Sequence, residues 1–261
     1  MKKIVFTFII VLSIMSFMSV NFADSQLIKV NTDGNTVSVN YNTSDYSKVK
    51  VVIKKDDAKY VYNLSSDDEK FPLQMGAGKY EIGLYKHVKG KKYSLITSEK
   101  FSVKSSDVNN VYLSSVQNVS WNSNSLSTKI ARKLTENAST DMEKVSIIYN
   151  YVVNNIEYDY AKADSVKAGY IPDNTRTINS NQGICYDYAS LTASMLRSVG
   201  VPTKLVKGTS NNTSVYHAWN EVLVDGKWIV IDTTIDSELI SDNVAVDMLK
   251  NPSDYFATKM Y

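Results

Sequence analysis

The sequence predicts an α+β protein, in which a strand-rich part precedes a domain of mixed helices and strands. In residues 27–103, short runs alternate apolar and polar side chains and are separated by Asp, Asn, Ser and Gly, as is typical of strands joined by turns. Beyond residue 126, apolar residues recur at the spacing of amphipathic helices. Strands followed by helices indicate α+β organisation.

The strand-rich part is expected to form a β-sandwich, Ig-like in outline. Its lack of cysteine limits this likeness to architecture, because the disulfide of antibody domains is excluded. We assign residues 24–104 to this accessory domain and residues 105–125, rich in Ser and Asn, to a connecting segment. The predicted strands cover residues 27–30, 36–41, 48–53, 60–64, 79–85, 93–96 and 99–103.

The first residues have the three parts of a secretory signal. Lys2 and Lys3 precede an apolar run over residues 4–20, and the small residue Ala23 supplies a cleavage point. We therefore expect a signal peptide over residues 1–23 and a mature protein that is secreted or at the cell surface, without a membrane partner. The run is as long as a short membrane span, so an uncleaved N-terminal anchor is the alternative.

The charge balance argues against nucleic acid as a partner. The chain has 29 Lys and Arg against 27 Asp and Glu, a net charge of +2, and removal of Lys2 and Lys3 brings it to about zero. A nucleic-acid binder would instead present a strong basic field. No cofactor is predicted.

Two helices introduce the second domain, which we assign to residues 126–261. The first is expected over residues 126–134. The second is introduced by Thr140 and Glu143, whose three-residue spacing predicts a capping box. The apolar face of this second helix is predicted to carry Val145, Ile148, Tyr149, Val152 and Val153.

Cys185 is the only cysteine, so it cannot form an intramolecular disulfide. Gly183 permits a tight entry into a predicted helix that starts at Cys185, and Gly200 stops that helix. The first turn of a helix favours negative charge and therefore a thiolate. A free thiol in this position is a candidate nucleophile, whereas a small buried core cysteine is the structural alternative.

A predicted β-hairpin supplies partners for the thiol. Asp225 and Gly226 form the two-residue turn, which places His217 opposite Thr234 and makes Asp232 the diagonal neighbour of His217 on the same face. An Asp–His hydrogen bond is then within reach, although a three-residue turn would separate the two side chains. A structural histidine beside a hairpin-end aspartate is the other interpretation.

His217 is the one base that the sequence offers to Cys185. The chain has two histidines, and His87 falls in a lysine-rich loop of the first domain. A histidine can take the thiol proton, and a buried carboxylate can hold its ring. A metal site is disfavoured, because one cysteine and one suitable histidine fall short of the usual three or four ligands.

Three segments resemble blocks of the transglutaminase-like superfamily of papain-type cysteine enzymes. Residues 183–189 resemble its nucleophile block, residues 216–222 its histidine block and residues 226–232 its aspartate block. The likeness extends over residues 127–236. The family often has a proline and an aromatic residue after the aspartate, where this chain has Thr-Thr-Ile-Asp, so the expected shape of the substrate groove does not carry over.

The resemblance implies a role for each residue of a catalytic trio. Cys185 would be the nucleophile, His217 the general base and then acid, and Asp232 the orienting group. The implied reaction is acyl transfer through a thioester. The Cys185 backbone N–H would donate to the oxyanion, and Tyr158 or Gln182 would add a side-chain donor, unless either serves only packing or a turn.

We therefore expect an exported bacterial enzyme that acts on amides of proteins or peptides, including cell-wall peptides. The first alternative is a cysteine peptidase or cell-wall peptide amidase. The second is a non-catalytic surface protein that uses the fold for binding or adhesion. No function is assigned to residues 237–261, although Tyr255 and Phe256 are expected to close over the core.

Overall fold

The computed structural model describes residues 27–31, 35–104 and 109–261. The predicted signal peptide, residues 1–23, lies outside this part of the chain. Among the residues described, no helix is long and apolar enough to cross a membrane.

The first part of the chain consists of strands, as predicted. A four-stranded antiparallel sheet has the order β4–β3–β6–β7, and β1, β2 and β5 form a three-stranded sheet. The strands are β1 (Ile28–Asn31), β2 (Thr36–Asn40), β3 (Val49–Lys55), β4 (Ala58–Asn63), β5 (Asp68–Pro72), β6 (Gly78–Lys89) and β7 (Lys92–Val103).

Two strand predictions differ from the structure. The strand β5 was missed, because Asp68, Glu69 and Lys70 hide the apolar pattern although Phe71 is fully buried. The predicted strands over residues 93–96 and 99–103 are one strand, β7, with a β-bulge. Ile96 is the extra residue of this bulge, since Leu84 and Tyr85 pair with Thr97 and Leu95.

The second part combines six helices and six strands within the described residues. A four-stranded antiparallel sheet has the order β12–β11–β10–β13, and β8 and β9 form a short parallel pair. The elements are α1 (Leu126–Leu134), α2 (Asp141–Asn155), β8 (Glu157–Tyr158), α3 (Tyr160–Ser165), α4 (Asn174–Ser180), β9 (Gln182–Gly183), α5 (Cys185–Ser198), β10 (Thr203–Ser210), β11 (Thr213–Val224), β12 (Lys227–Ile231), α6 (Thr233–Ser241) and β13 (Tyr255–Met260).

The described residues divide into two compact units. The first contains residues 27–30, 38–69 and 77–104, and the second contains residues 31, 35–37, 70–76 and 109–261. Residues 35–37 and 70–76 thus group with the second unit, although the sequence placed them in the accessory domain. The interpretation of residues 24–104 as an Ig-like sandwich stays a prediction.

The helix start at Thr140 was predicted correctly from its capping box. The Thr140 hydroxyl accepts a hydrogen bond from the Glu143 backbone N–H at 3.1 Å, and the Glu143 carboxylate accepts one from the Thr140 N–H at 3.2 Å. All five residues of the predicted apolar face are buried. Val145, Ile148 and Val152 pack this helix, α2, against α5 and the sheet.

Helix α5 lies at the centre of the second unit, with every residue from Tyr186 to Ser198 buried. Arg197, which is 1% exposed, stabilises its C-terminal end. The guanidinium donates hydrogen bonds to the backbone oxygens of Thr203, Ser114 and Tyr261 at 2.9, 2.7 and 2.8 Å. One side chain therefore connects α5 to three other segments of the unit.

Replacing Arg197 with leucine is expected to lower the free energy of unfolding by about 3 kcal/mol, because three backbone oxygens lose their donor. Urea unfolding measures this loss. The matched control is Arg132→Leu on the exposed face of α1, which we expect to change stability by less than about 0.5 kcal/mol. Equal effects of the two variants would contradict the structural role of Arg197.

Candidate active site

Cys185 is the first residue of α5 and is partly exposed. Ile184 precedes it in an extended conformation, with φ −94° and ψ 172°. The predicted helix start and the stop at Gly200, which has φ +87°, are both confirmed. Cys185 is the one residue of this helix that is not buried, so its thiol lies where a substrate can reach it.

A buried carboxylate fixes the helix start that carries Cys185. Asp187, fully buried, accepts a hydrogen bond from the Ile184 N–H at 2.8 Å. It also forms an ion pair with the Lys162 ammonium at 2.6 Å and accepts a hydrogen bond from the Tyr170 hydroxyl. Gly183 is required beside it, since a Cβ there would lie 2.7 Å from the Asp187 Cβ.

His217 lies in the predicted hairpin. Strands β11 and β12 pair from Val224 with Lys227 to Asn220 with Ile231, and the turn residues Asp225 and Gly226 have φ +50° and +75°. The two-residue turn is therefore confirmed. The predicted position of Thr234 opposite His217 was wrong, because β12 ends at Ile231 and Thr234 belongs to α6.

Asp232 reaches His217 from a helix cap rather than from a strand. Its Oδ1 accepts the Ile235 backbone N–H at 3.3 Å, which makes it the N-cap of α6. Its Oδ2 lies 2.8 Å from His217 Nε2 and also accepts the Tyr255 hydroxyl at 3.0 Å. The carboxylate is thus held from three directions and is fully buried.

His217 interacts with both the Asp232 carboxylate and the Cys185 thiol. Burial alone would lower the pKa of His217, but its hydrogen bonds to Asp232 and Cys185 outweigh this effect and raise the pKa to about 10. The imidazolium form is therefore favoured at neutral pH. The predicted contact between His217 and Asp232 is present, and Cys185 interacts with His217, whereas the catalytic roles of the three residues stay a prediction.

Tyr158 and Gln182 occupy neighbouring strands before the helix. Tyr158 in β8 pairs with Gly183 in β9 and packs in the same cluster as Cys185. Burial and the nearby Cys185 raise the pKa of the Tyr158 hydroxyl to about 12, so it stays protonated and can donate. Gln182 is exposed and pairs through its backbone with Glu157.

Two parts of the site were missed by sequence reasoning. The first is Tyr255, in a segment with no assigned function; burial and the charge of Asp232 raise its pKa. It does close over the core, but Phe256, expected to do the same, is 52% exposed. The second part is the group around Asp187; its carboxylate accepts the Ile184 N–H, but Ile184 has no side-chain acceptor, so the sequence lacks the Ser or Thr that marks a capping box.

Comparisons with known proteins find relatives of the second domain. Residues 128–233 match the family model of the transglutaminase-like superfamily. Human kyphoscoliosis peptidase is 32% identical over 124 residues, which cover 43% of this chain and 18% of that protein, so the chain spans less than a fifth of the length of this relative.

Two solved structures also resemble the chain. A candidate cysteine protease from Cytophaga hutchinsonii is 15% identical with a TM-score of 0.45, over 87% of this chain and 83% of that one. Red sea bream transglutaminase is 11% identical with a TM-score of 0.34, over 76% of this chain and 47% of that one. Residues 128–233 are thus similar in sequence to the transglutaminase-like superfamily, and this part of the chain has a mixed helix–strand fold.

The His217–Asp232 pair predicts a pH-dependent contribution to stability. The pKa of His217 is near 6.5 when unfolded and about 10 when folded, so the contribution is complete below pH 6.5 and is lost as the pH rises through 10. We expect the difference in unfolding free energy between the wild type and His217→Ala to fall by about 1–3 kcal/mol between pH 6 and pH 10.

Denaturant unfolding at several pH values measures this difference. His87→Ala is the control, because it removes the other histidine, in the hairpin of β6 and β7. A wild-type advantage over His217→Ala that is constant from pH 6 to pH 10 would contradict the charged pair.

Proposed function

We propose that this protein is a secreted, cysteine-dependent acyl transferase that acts on amides of proteins or peptides. The observation that carries the proposal is the 2.8 Å contact of His217 with the buried Asp232 carboxylate, together with the interaction of His217 with the thiol of Cys185 at the start of α5. Triads in which a histidine links a nucleophile to a carboxylate or amide activate nucleophiles in several unrelated enzyme folds.

Each side chain has a defined part in the proposed reaction. The Cys185 thiolate attacks the amide carbonyl carbon, and the His217 imidazolium gives its proton to the leaving nitrogen, which departs as ammonia or an amine. A thioester on Cys185 remains. An acceptor amine or water then attacks this thioester, gives a proton to His217 and restores the thiolate. Asp232 holds the imidazole and stabilises its positive charge.

The negative oxygen that develops on the attacked carbonyl needs hydrogen-bond donors. The backbone N–H of Cys185 lies at the start of α5, where the N–H groups have no acceptor within the helix. We assign the side-chain donor to Tyr158, because it packs beside Cys185 and stays protonated. Gln182 is exposed, which makes it a weaker candidate for this donor.

Hydrolysis is the second candidate reaction. It is favoured by the 32% identity with a protein that is named a peptidase, over a segment that is aligned with 43% of this chain. Transfer and hydrolysis share the thioester and differ only in whether an amine or water attacks it. Cell-wall peptides are among the proposed substrates of either reaction.

Export and the role of the first domain also belong to the proposal. The signal sequence predicted over residues 1–23 supports a secreted or cell-surface bacterial protein. The strands of the first part support an Ig-like accessory domain that orients the enzyme or binds a partner. A non-catalytic binding protein would keep this architecture but would not need a reactive thiol.

Alkylation of Cys185 tests the proposed activation. We expect iodoacetamide to label the mature protein rapidly at pH 6.5, and His217→Ala to lower the rate about tenfold or more, because the imidazolium no longer stabilises the thiolate. Intact mass follows the single thiol without ambiguity. His87→Ala is the control with an unchanged rate. Equal rates for the wild type and His217→Ala would favour the binding protein.

The products then identify the reaction. Release of ammonia with incorporation of a primary amine into a glutamine peptide indicates transfer, whereas new peptide termini indicate hydrolysis. We expect His217→Ala to lower turnover by about 10²–10⁴-fold in either case. Turnover that persists in Cys185→Ala would refute the covalent mechanism.

Tyr255→Phe tests the positioning of Asp232. The variant removes the hydroxyl that donates to Asp232 at 3.0 Å but keeps the ring that packs on Trp219, with centroids 5.1 Å apart. We expect kcat to fall about 3- to 10-fold with little change in KM, because the bond orients the triad rather than the substrate. The control is Tyr216→Phe, which removes an exposed hydroxyl that contacts Thr258. Equal kcat values for the two variants would contradict this role.

A further inference from the structure

A second cationic side chain lies beside Cys185. Lys207, in β10, is partly buried, and its Nζ is 3.1 Å from the centre of the Tyr186 ring and 5.8 Å from the centre of the Tyr261 ring. Tyr186 follows Cys185 directly in α5. Both residues pack in one cluster with Tyr261 and with Ala218, the cross-strand neighbour of Lys207. The ammonium is therefore held near the thiol by aromatic rings.

Lys207 differs from its neighbour Lys204 in having no carboxylate partner among the described residues. Lys204 forms an ion pair with Glu221 at 2.7 Å, whereas no carboxylate of the described residues forms an ion pair with Lys207. A cation–π contact attracts the ammonium but brings no formal negative charge and no oxygen acceptor for its N–H donors. A partly buried ammonium without a carboxylate partner carries a desolvation cost that a bound carboxylate would offset.

Lys207 is nevertheless charged at neutral pH. Burial lowers its pKa to about 8, and the negative form of Cys185 acts in the opposite direction by favouring the protonated amine. In most molecules Lys207 is thus a charged ammonium at pH 7. The site therefore presents two positive groups to a ligand at Cys185, the His217 imidazolium and the Lys207 ammonium, but Asp232 pairs only with the first.

We propose that Lys207 binds a carboxylate of the acyl donor, so that the preferred substrate carries a negative charge close to the amide that Cys185 attacks. The nature of the substrate depends on the proposed function, whereas the anion site at Lys207 does not. An acidic peptide fits this chemistry, since its carboxylate would supply the missing counter-ion. The other role for Lys207, general stabilisation of the thiolate or oxyanion, would affect neutral and anionic substrates equally.

Two alkylating reagents measure the anion site without any turnover. Iodoacetate carries a carboxylate next to its reactive carbon, whereas iodoacetamide is neutral and otherwise similar. The ratio of their rate constants cancels the thiolate fraction of Cys185. At pH 7 and low salt, we expect this ratio to be higher for the wild type than for a small cysteine peptide, and to fall about 3- to 10-fold in Lys207→Gln.

Two variants control for charge and folding. Lys204→Gln removes a charge from the same strand and should leave the ratio unchanged, whereas Lys207→Arg keeps the cation and should keep most of the preference. A ratio in the wild type no higher than in the peptide would overturn the proposal without recourse to any variant. An equal fall in Lys204→Gln and Lys207→Gln would also overturn it, because the effect would then come from net charge.

Turnover of matched substrates completes the test. With two glutamine peptides that differ only by a neighbouring Glu or Gln, we expect the wild type to favour the acidic peptide in kcat/KM, and Lys207→Gln to lose this preference mainly through KM. An equal loss for both peptides would indicate oxyanion stabilisation and overturn the proposal. Absence of turnover with an intact alkylation ratio would reject the proposed function but keep the anion site.

Discussion

The burial of helix α5 is the constraint on which the second unit depends. A helix that is surrounded by protein cannot leave its polar groups to water, so each needs a partner from the surrounding structure. Asp187 meets this requirement at the N-terminal end through Lys162 and Tyr170, and Arg197 meets it at the other end through three backbone oxygens. These partners fix the helix in position and leave Cys185 as its one accessible residue.

The geometry of the candidate active site depends on this fixed helix and on a second anchored group, the Asp232 carboxylate. Asp232 caps α6 with one carboxylate oxygen and contacts His217 and Tyr255 with the other. A carboxylate with a structural task of this kind has little freedom to rotate, so the imidazole that it holds is preorganised. Trp219 supports the arrangement by stacking on His217, with ring centroids 6.3 Å apart.

Local signals predicted much of the second unit. The capping box at Thr140, the Asp225–Gly226 turn and the start of α5 at Cys185 each depend on a few adjacent residues, and all three agree with the structure. Long-range pairing was not predictable in this way. Tyr255 follows Asp232 by 23 residues and reaches it only because β13 joins the edge of the sheet beside β10. The β-bulge at Ile96 was hidden for a related reason, because it is defined by the partner strand.

Two cations of the second unit, the buried Arg197 and the partly buried Lys207, have different roles. Arg197 uses its fork of donors on three fixed oxygens, so its hydrogen-bonding requirement is met within the fold and its role is structural. Lys207 instead contacts two aromatic rings, which supply neither an oxygen acceptor nor a carboxylate. Both residues bear a cost of desolvation, but only Lys207 keeps N–H donors that a bound carboxylate could accept beside Cys185, as the proposed anion site requires. The same argument explains why Lys204, paired with Glu221, has no comparable role although it lies on the same strand.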